Sequence, residues 1–141
     1  MEFNFDQIKD GYVATFKKYN DFNGRSTREE FWTFFFCNLA INIAAGIVIS
    51  ILSFIFGFIP FIGWLMTFML YGLLGLFALA TLVPNIAVGV RRLHDTDRSG
   101  MFWLLVFACC IGVFVPLYWS TQEGTVGENQ FGPDPKAAPQ P

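Results

Sequence analysis

Arg91-Arg92-Leu93-His94-Asp95-Thr96-Asp97-Arg98-Ser99-Gly100 separates two stretches that contain no charge. Phe31 to Val90 runs sixty residues without Asp, Glu, Lys or Arg, and Ser99 to Gln122 runs twenty-four. A bilayer hydrocarbon core is about 30 Å thick, and a helix rising 1.5 Å per residue needs roughly twenty apolar residues to cross it. The first stretch has the length of two crossings and the second of one. The charged decapeptide is then a short loop where the chain surfaces between them.

Composition agrees. Of the 141 residues, 54% are hydrophobic and 14% are charged, and 18 are Phe. A soluble domain carries about 25% charged residues. A soluble reading would have to bury a sixty-residue chargeless segment on every face, and a chain this short has too little other material to cover it. The formal charge of −2 argues against nucleic acid as a partner, since phosphate binding needs a basic face. No short positive segment precedes an early apolar run, so the first crossing is expected to stay attached as a signal-anchor.

Working outward, residues 3–20 read as an amphipathic helix in which Ile8, Tyr12, Phe16 and Tyr19 recur at helical spacing. Such a helix lies on the bilayer or caps the crossings. Asn23-Gly24 signals a turn. In Ser26-Thr27-Arg28-Glu29, Ser26 and Glu29 have the spacing of a capping box, with Glu29 and Glu30 in the first turn of the helix it opens. The expected organisation is a cytoplasmic amphipathic segment (1–30), a membrane domain (31–122) and an irregular polar tail (123–141). The membrane domain holds crossings near 31–56, 64–90 and 100–119. The fold class is all-α membrane protein with three transmembrane helices.

Lys17, Lys18, Arg25 and Arg28 flank the first crossing, Arg91, Arg92 and Arg98 lie in the charged loop, and the tail has only Lys136. The excess of Lys and Arg on cytoplasmic loops then predicts a cytoplasmic N-terminus and, with three crossings, a C-terminus outside. Within the crossings, Asn38 and Asn42 on one helix and Thr81 and Asn85 on the next form polar seams. Amides facing lipid are unfavourable, so these are expected to face each other between helices. Pro84 is expected to kink the second crossing. Cys37, Cys109 and Cys110 read as small buried thiols, with no spacing that suggests a metal.

The candidate site is the charged loop together with the segment before the first crossing: Arg25, Arg28, Glu29, Glu30, Arg91, Arg92, His94, Asp95, Asp97 and Arg98. Two readings stand side by side. The arginines staple the loops through carboxylates, or they contact lipid head groups. His94-Asp95 has the residue types of a base and its orienting acid, but no Ser or Cys nucleophile has a recognisable setting. No catalytic, cofactor-binding or metal residue is assigned, and the chain is read as not an enzyme.

Three segments resemble a known family. They are Phe22-Asn23-Gly24-Arg25-Ser26-x-Arg28-x-Glu30-Phe31-Trp32, then Arg91-Arg92-Leu93-His94-Asp95-x-x-Arg98-Ser99-Gly100, then Gly127-x-Asn129-x-Phe131-Gly132-Pro133-Asp134-Pro135. In this order they look like the signatures of the bacterial inner-membrane family known as domain of unknown function 805. Met101 departs from it, standing where that family's pattern places an aromatic. The resemblance implies a small multi-pass protein of the bacterial cytoplasmic membrane and supplies no activity. The expected function is a structural, accessory or lipid-facing module, with an oligomeric small-solute transporter or channel as alternative and a lipid-modifying enzyme behind it. Expected partners are membrane lipids, anionic head groups among them, and a second copy or another membrane protein.

Overall fold

A computed structural model describes residues 5–108 and 112–137. Among these the chain is helical and no strand occurs: α1 (Phe5–Lys17), α2 (Arg28–Phe56), α3 (Ile62–Asp95), a 3-10 segment (Gly100–Leu104), α4 (Leu105–Ala108) and α5 (Phe114–Thr121). Two compact units divide it, Phe36–Leu82 on one hand and Met1–Phe35 with Val83–Pro141 on the other. The helices α2 and α3 run from one unit into the other.

Unit Phe36–Leu82 is a helical hairpin turned by residues 57–61, where Phe61 adopts φ 67°. Its apolar side chains are outward on nearly every face, Phe54, Leu73 and Leu76 among them; Ile49, Asn38 and Thr81 are buried. A helix that is hydrophobic all round needs an apolar surround. α2 and α3 are both long and apolar enough to cross a membrane. A hydroxyl pair, Ser50 Oγ to Tyr71 Oη at 3.2 Å, links the two helices.

The other unit has a conventional core of Phe31, Phe34, Val88, Leu93 and Trp103. Trp103 meets Phe31 edge to face at 5.7 Å and lies flat against α3 at Gly89, where an added Cβ would come 2.5 Å from the indole. α1 packs on the start of α2, with Tyr12 stacked on Phe34 at 4.9 Å. The start of α2 differs from the expected capping box by one residue. Thr27 Oγ1 accepts from the Glu30 amide at 3.1 Å. The Ser26 amide instead donates to the Arg91 carbonyl, which removes it from the reach of Glu29.

The third apolar stretch departs most from its expectation. Residues 100–119 do not form one helix of crossing length among the described residues; they form a five-residue 3-10 segment, a four-residue α4 and an eight-residue α5. The chain comes back on itself: Phe102 meets Trp119 at 5.3 Å, and the Arg98 guanidinium sits 4.9 Å over the Trp119 ring. The 3-10 segment and α4 together span about 16 Å at their ordinary rises. Residues 125–132 of the tail lie against Arg25, His94 and Asp95. Apolar content measures whether a segment prefers lipid, and says nothing of whether it turns back. Cys37 is a free, half-buried thiol; Cys109 and Cys110 lie outside the described residues.

Candidate functional site

The C-terminus of α3 sets the geometry. The last carbonyls of a helix have no partner within it, and here those of Leu93, His94 and Asp95 each find one. Asp97, at φ 57°, turns the chain so that the Arg98 amide reaches the Leu93 carbonyl and its own amide reaches that of His94, both at 3.0 Å. This is a Schellman closure with Asp where Gly is usual. The tail supplies the rest. The Thr125 amide and hydroxyl donate to the Asp95 carbonyl at 2.8 and 3.1 Å, and Asn129 Nδ2 donates to that of His94 at 2.9 Å.

Asp95, on the final turn of α3, is the centre. Its Oδ1 takes Arg25 Nε at 3.0 Å and Arg25 Nη2 at 2.9 Å, while Oδ2 takes Arg92 Nη1. All three side chains are within 2% of full burial. The remaining donors of both guanidiniums end on backbone carbonyls. Arg25 reaches Gly127, Thr125 and, at 3.4 Å, Gly132. Arg92 reaches Ser120 at 3.2 Å, Gln122 and, at 3.5 Å, Ser26. The planar fork of arginine suits this, because its donors diverge at fixed angles; Arg25 makes five such contacts and Arg92 four. Gly124 completes the fit: a Cβ there would stand 2.0 Å from Asp95 Oδ2.

A second charge group surrounds Arg91, whose Nη2 lies 3.6 Å from Glu30 Oε1 and whose Nη1 lies 4.0 Å from Asp21 Oδ2. Glu30 also accepts from Thr15 Oγ1 at 3.4 Å and faces Lys18 Nζ at 3.9 Å. Arg91 Nε and Nη2 are buried without a hydrogen-bond partner, so this guanidinium is held by charge more than by directed bonds.

At the rim, Arg28 pairs with Glu123 at 3.0 Å, both side chains about half exposed or more. Lys136 first, and then Arg28, hold the Glu123 carboxyl below the usual carboxylate range. The amides of Lys136 and Gly127 do the same for Asp134. His94 stacks flat on Phe131 at 3.9 Å, and its Nδ1 lies 3.2 Å from the Gly24 carbonyl. A carbonyl only accepts, so Nδ1 carries the proton and Nε2 of the neutral ring is an acceptor.

Of the residues singled out in sequence, Arg25, Glu30, Arg91, Arg92, His94 and Asp95 come together. Arg28 and Arg98 lie at the edges of this cluster. Asp97 and Glu29 are exposed. Among the described residues no group of His, Cys, Asp and Glu has the arrangement of a metal site. In the polar seams, Asn38 and Thr81 are buried and Asn42 and Asn85 half-buried. Asn42 Nδ2 donates to the Asn38 carbonyl at 2.8 Å, and Thr81 Oγ1 to those of Phe77 and Ala78 at 3.1 Å.

Sequence reasoning missed the tail. Thr125, Gly127, Asn129, Phe131 and Gly132 all contact the cluster, and the signal was the Gly-x-Asn-x-Phe-Gly pattern, which reads as an irregular segment when only its Gly and Pro content is weighed.

Two apolar helices of crossing length, joined to a cluster in which a carboxylate is buried between two arginines, define a helical membrane protein with a polar cap. The family model "Protein of unknown function (DUF805)" matches residues 19–133, and the chain belongs to this family. It is 39% identical to the inner membrane protein YhaI of Escherichia coli K12, over 89% of this chain and 94% of that one. It is 36% identical to the inner membrane protein YhaH of the same strain, over 92% and 99%. No solved structure matches the chain. The protein is thus one of the bacterial inner membrane.

Proposed function

We propose that the protein is a structural or accessory module of the bacterial inner membrane that crosses it twice, with a self-contained cap on the cytoplasmic side. In this reading α2 and α3 are the crossings and residues 57–61 face outward. Residues 100–108 and 112–121 lie at the inner leaflet, and both termini are cytoplasmic. The excess of Lys and Arg before α2 and in the charged loop supports that side.

One observation carries the reading. The donors of Arg25 and Arg92 are directed to Asp95 and to carbonyls of the chain itself, and both side chains are buried, which turns these arginines away from a head group. They staple the segment before α2, the end of α3 and the tail into one piece. The transporter alternative has less support, since residues 31–90 hold no ionisable Asp, Glu, Lys or Arg, and such residues mark ion and proton paths.

The test is flux. The purified protein, reconstituted in vesicles of phosphatidylethanolamine and phosphatidylglycerol, should pass protons and potassium no faster than protein-free vesicles. Flux that rises with protein and falls on substituting Asn42 or Tyr71 would favour a transporter.

A further inference from the structure

Beside the cap lies an open groove of about 340 Å³. Phe22, Val90, Met101 and Leu104 give it apolar walls, and His94 and Ser99 border it with polar atoms. It rests on the reading above, in which this end of α3 stands at the cytoplasmic surface. We propose that the groove seats one anionic phospholipid of the inner leaflet, with acyl chain along Met101 and Leu104 and phosphate toward Arg98.

The place of the groove in the chain comes first. Val90 is the last residue of the charge-free stretch, and Ser99 the first of the next. Its walls thus belong to the level where hydrocarbon gives way to head groups. Met101 is 73% and Leu104 54% exposed, within six residues of Arg98. Exposed apolar side chains so close to a charge are suited to the acyl-to-phosphate boundary and poorly suited to water.

Charge comes second. Arg25 and Arg92 are buried and paired with Asp95, and Arg91 is flanked by Glu30 and Asp21. Arg98 differs. It sits over the Trp119 ring, and among the described residues no carboxylate lies within ion-pairing distance of it. A guanidinium without a carboxylate keeps donors that match phosphate oxygens.

The polar atoms come third. His94 Nε2 is an acceptor because Nδ1 donates to Gly24. Ser99 Oγ accepts from the Met101 amide at 3.3 Å, which leaves its hydroxyl proton free to donate. His94 and Ser99 line the groove, and Arg98 precedes Ser99 in the chain without lining it; a cation one residue from a donor and an acceptor at an apolar trough complements a phosphodiester whose head group carries a hydroxyl. A choline head group would bring a second cation and no hydroxyl.

Native mass spectrometry of the full chain in mild detergent, titrated with phosphatidylglycerol or phosphatidylcholine of the same acyl chains, tests this. The proposal expects one phosphatidylglycerol to be retained in preference to phosphatidylcholine by about fivefold, the effect of one basic residue at an anionic surface. Arg98→Gln should erase the preference, Arg98→Lys should keep it, and Met101→Glu should weaken retention of both lipids, with unfolding temperatures monitored throughout. Millimolar inorganic phosphate should displace nothing. Equal retention of the two lipids by the wild type, an undiminished preference in a folded Arg98→Gln, or displacement by phosphate would overturn it. Failure of the topology reading would instead appear as labelling of the charged loop from outside the cell, whatever lipid is retained.

Discussion

In the unit Phe36–Leu82, three side chains of note are buried, Asn38, Ile49 and Thr81, and the surface is Leu, Ile, Phe and Met. In the unit that joins the N-terminal segment, the end of α3 and the tail, the side chains of Arg25, Arg92 and Asp95 are buried, as are Phe31 and Phe34. The first unit relies on its apolar surround and on a short turn. The second relies on directed bonds between segments 70 and 107 residues apart, as from Arg25 to Asp95 and to Gly132. Nonspecific burial tolerates substitution; a saturated polar cluster does not, because each loss strands a charge without water.

The largest effect should therefore come from removing one member of the buried cluster. Asp95→Ala leaves two guanidiniums without their carboxylate and should cost about 3–5 kcal/mol, read as lost folded yield and a lower midpoint of unfolding in detergent. Asp95→Arg should be worse still, and adding Arg25→Asp should restore part of the yield. If Asp95→Ala unfolds at the wild-type temperature, the contrast between the units collapses.

Glycines sharpen the comparison at a smaller scale. Gly124→Ala drives a methyl group toward Asp95 Oδ2 and should cost about 1–3 kcal/mol, as overpacking does. Gly46→Ala, in the other unit, meets open space and should be neutral or slightly stabilising, helix propensity favouring Ala by up to about 1 kcal/mol. Equal losses at the two positions would show that the cap is no more tightly fitted than the hairpin.

Smaller again is Tyr71→Phe, which removes the link to Ser50. Hydrogen bonds between membrane helices contribute about 0.6 kcal/mol, a shift that replicate unfolding curves in detergent resolve. Arg28→Ala should leave the midpoint unchanged, since its partner Glu123 is open to water and exposed pairs contribute little.

Much of the hairpin was legible from the chain. The charge-free run, the turn after Phe56 and the start of α2 follow from hydropathy and local capping, which act over a few residues. The third stretch was not. Residues 100–119 have the length and apolarity of a crossing, and only the tertiary contacts of Trp119 with Phe102 and Arg98 reveal the return. The tail shows the same limit. Gly and Pro mark irregular backbone correctly, yet irregular backbone is what presents the Thr125, Gly127 and Gly132 carbonyls to Arg25. In the charged loop, residue types pointed to arginine–carboxylate pairing. Which pairs form depends on burial, and burial here is supplied by the tail.

The central claim is that tail and charged loop share one side of the membrane. Cysteine labelling of intact cells tests it most directly, with Cys37, Cys109 and Cys110 replaced by Ser and a single cysteine introduced at Phe58, Asp97 or Val126. Phe58 and Val126 are 78% and 97% exposed, so access and not packing decides the labelling. A membrane-impermeant maleimide should label Phe58→Cys in intact cells, and Asp97→Cys and Val126→Cys only after the cells are opened. Labelling of Val126→Cys from outside, with Asp97→Cys protected, would contradict the account and restore a third crossing.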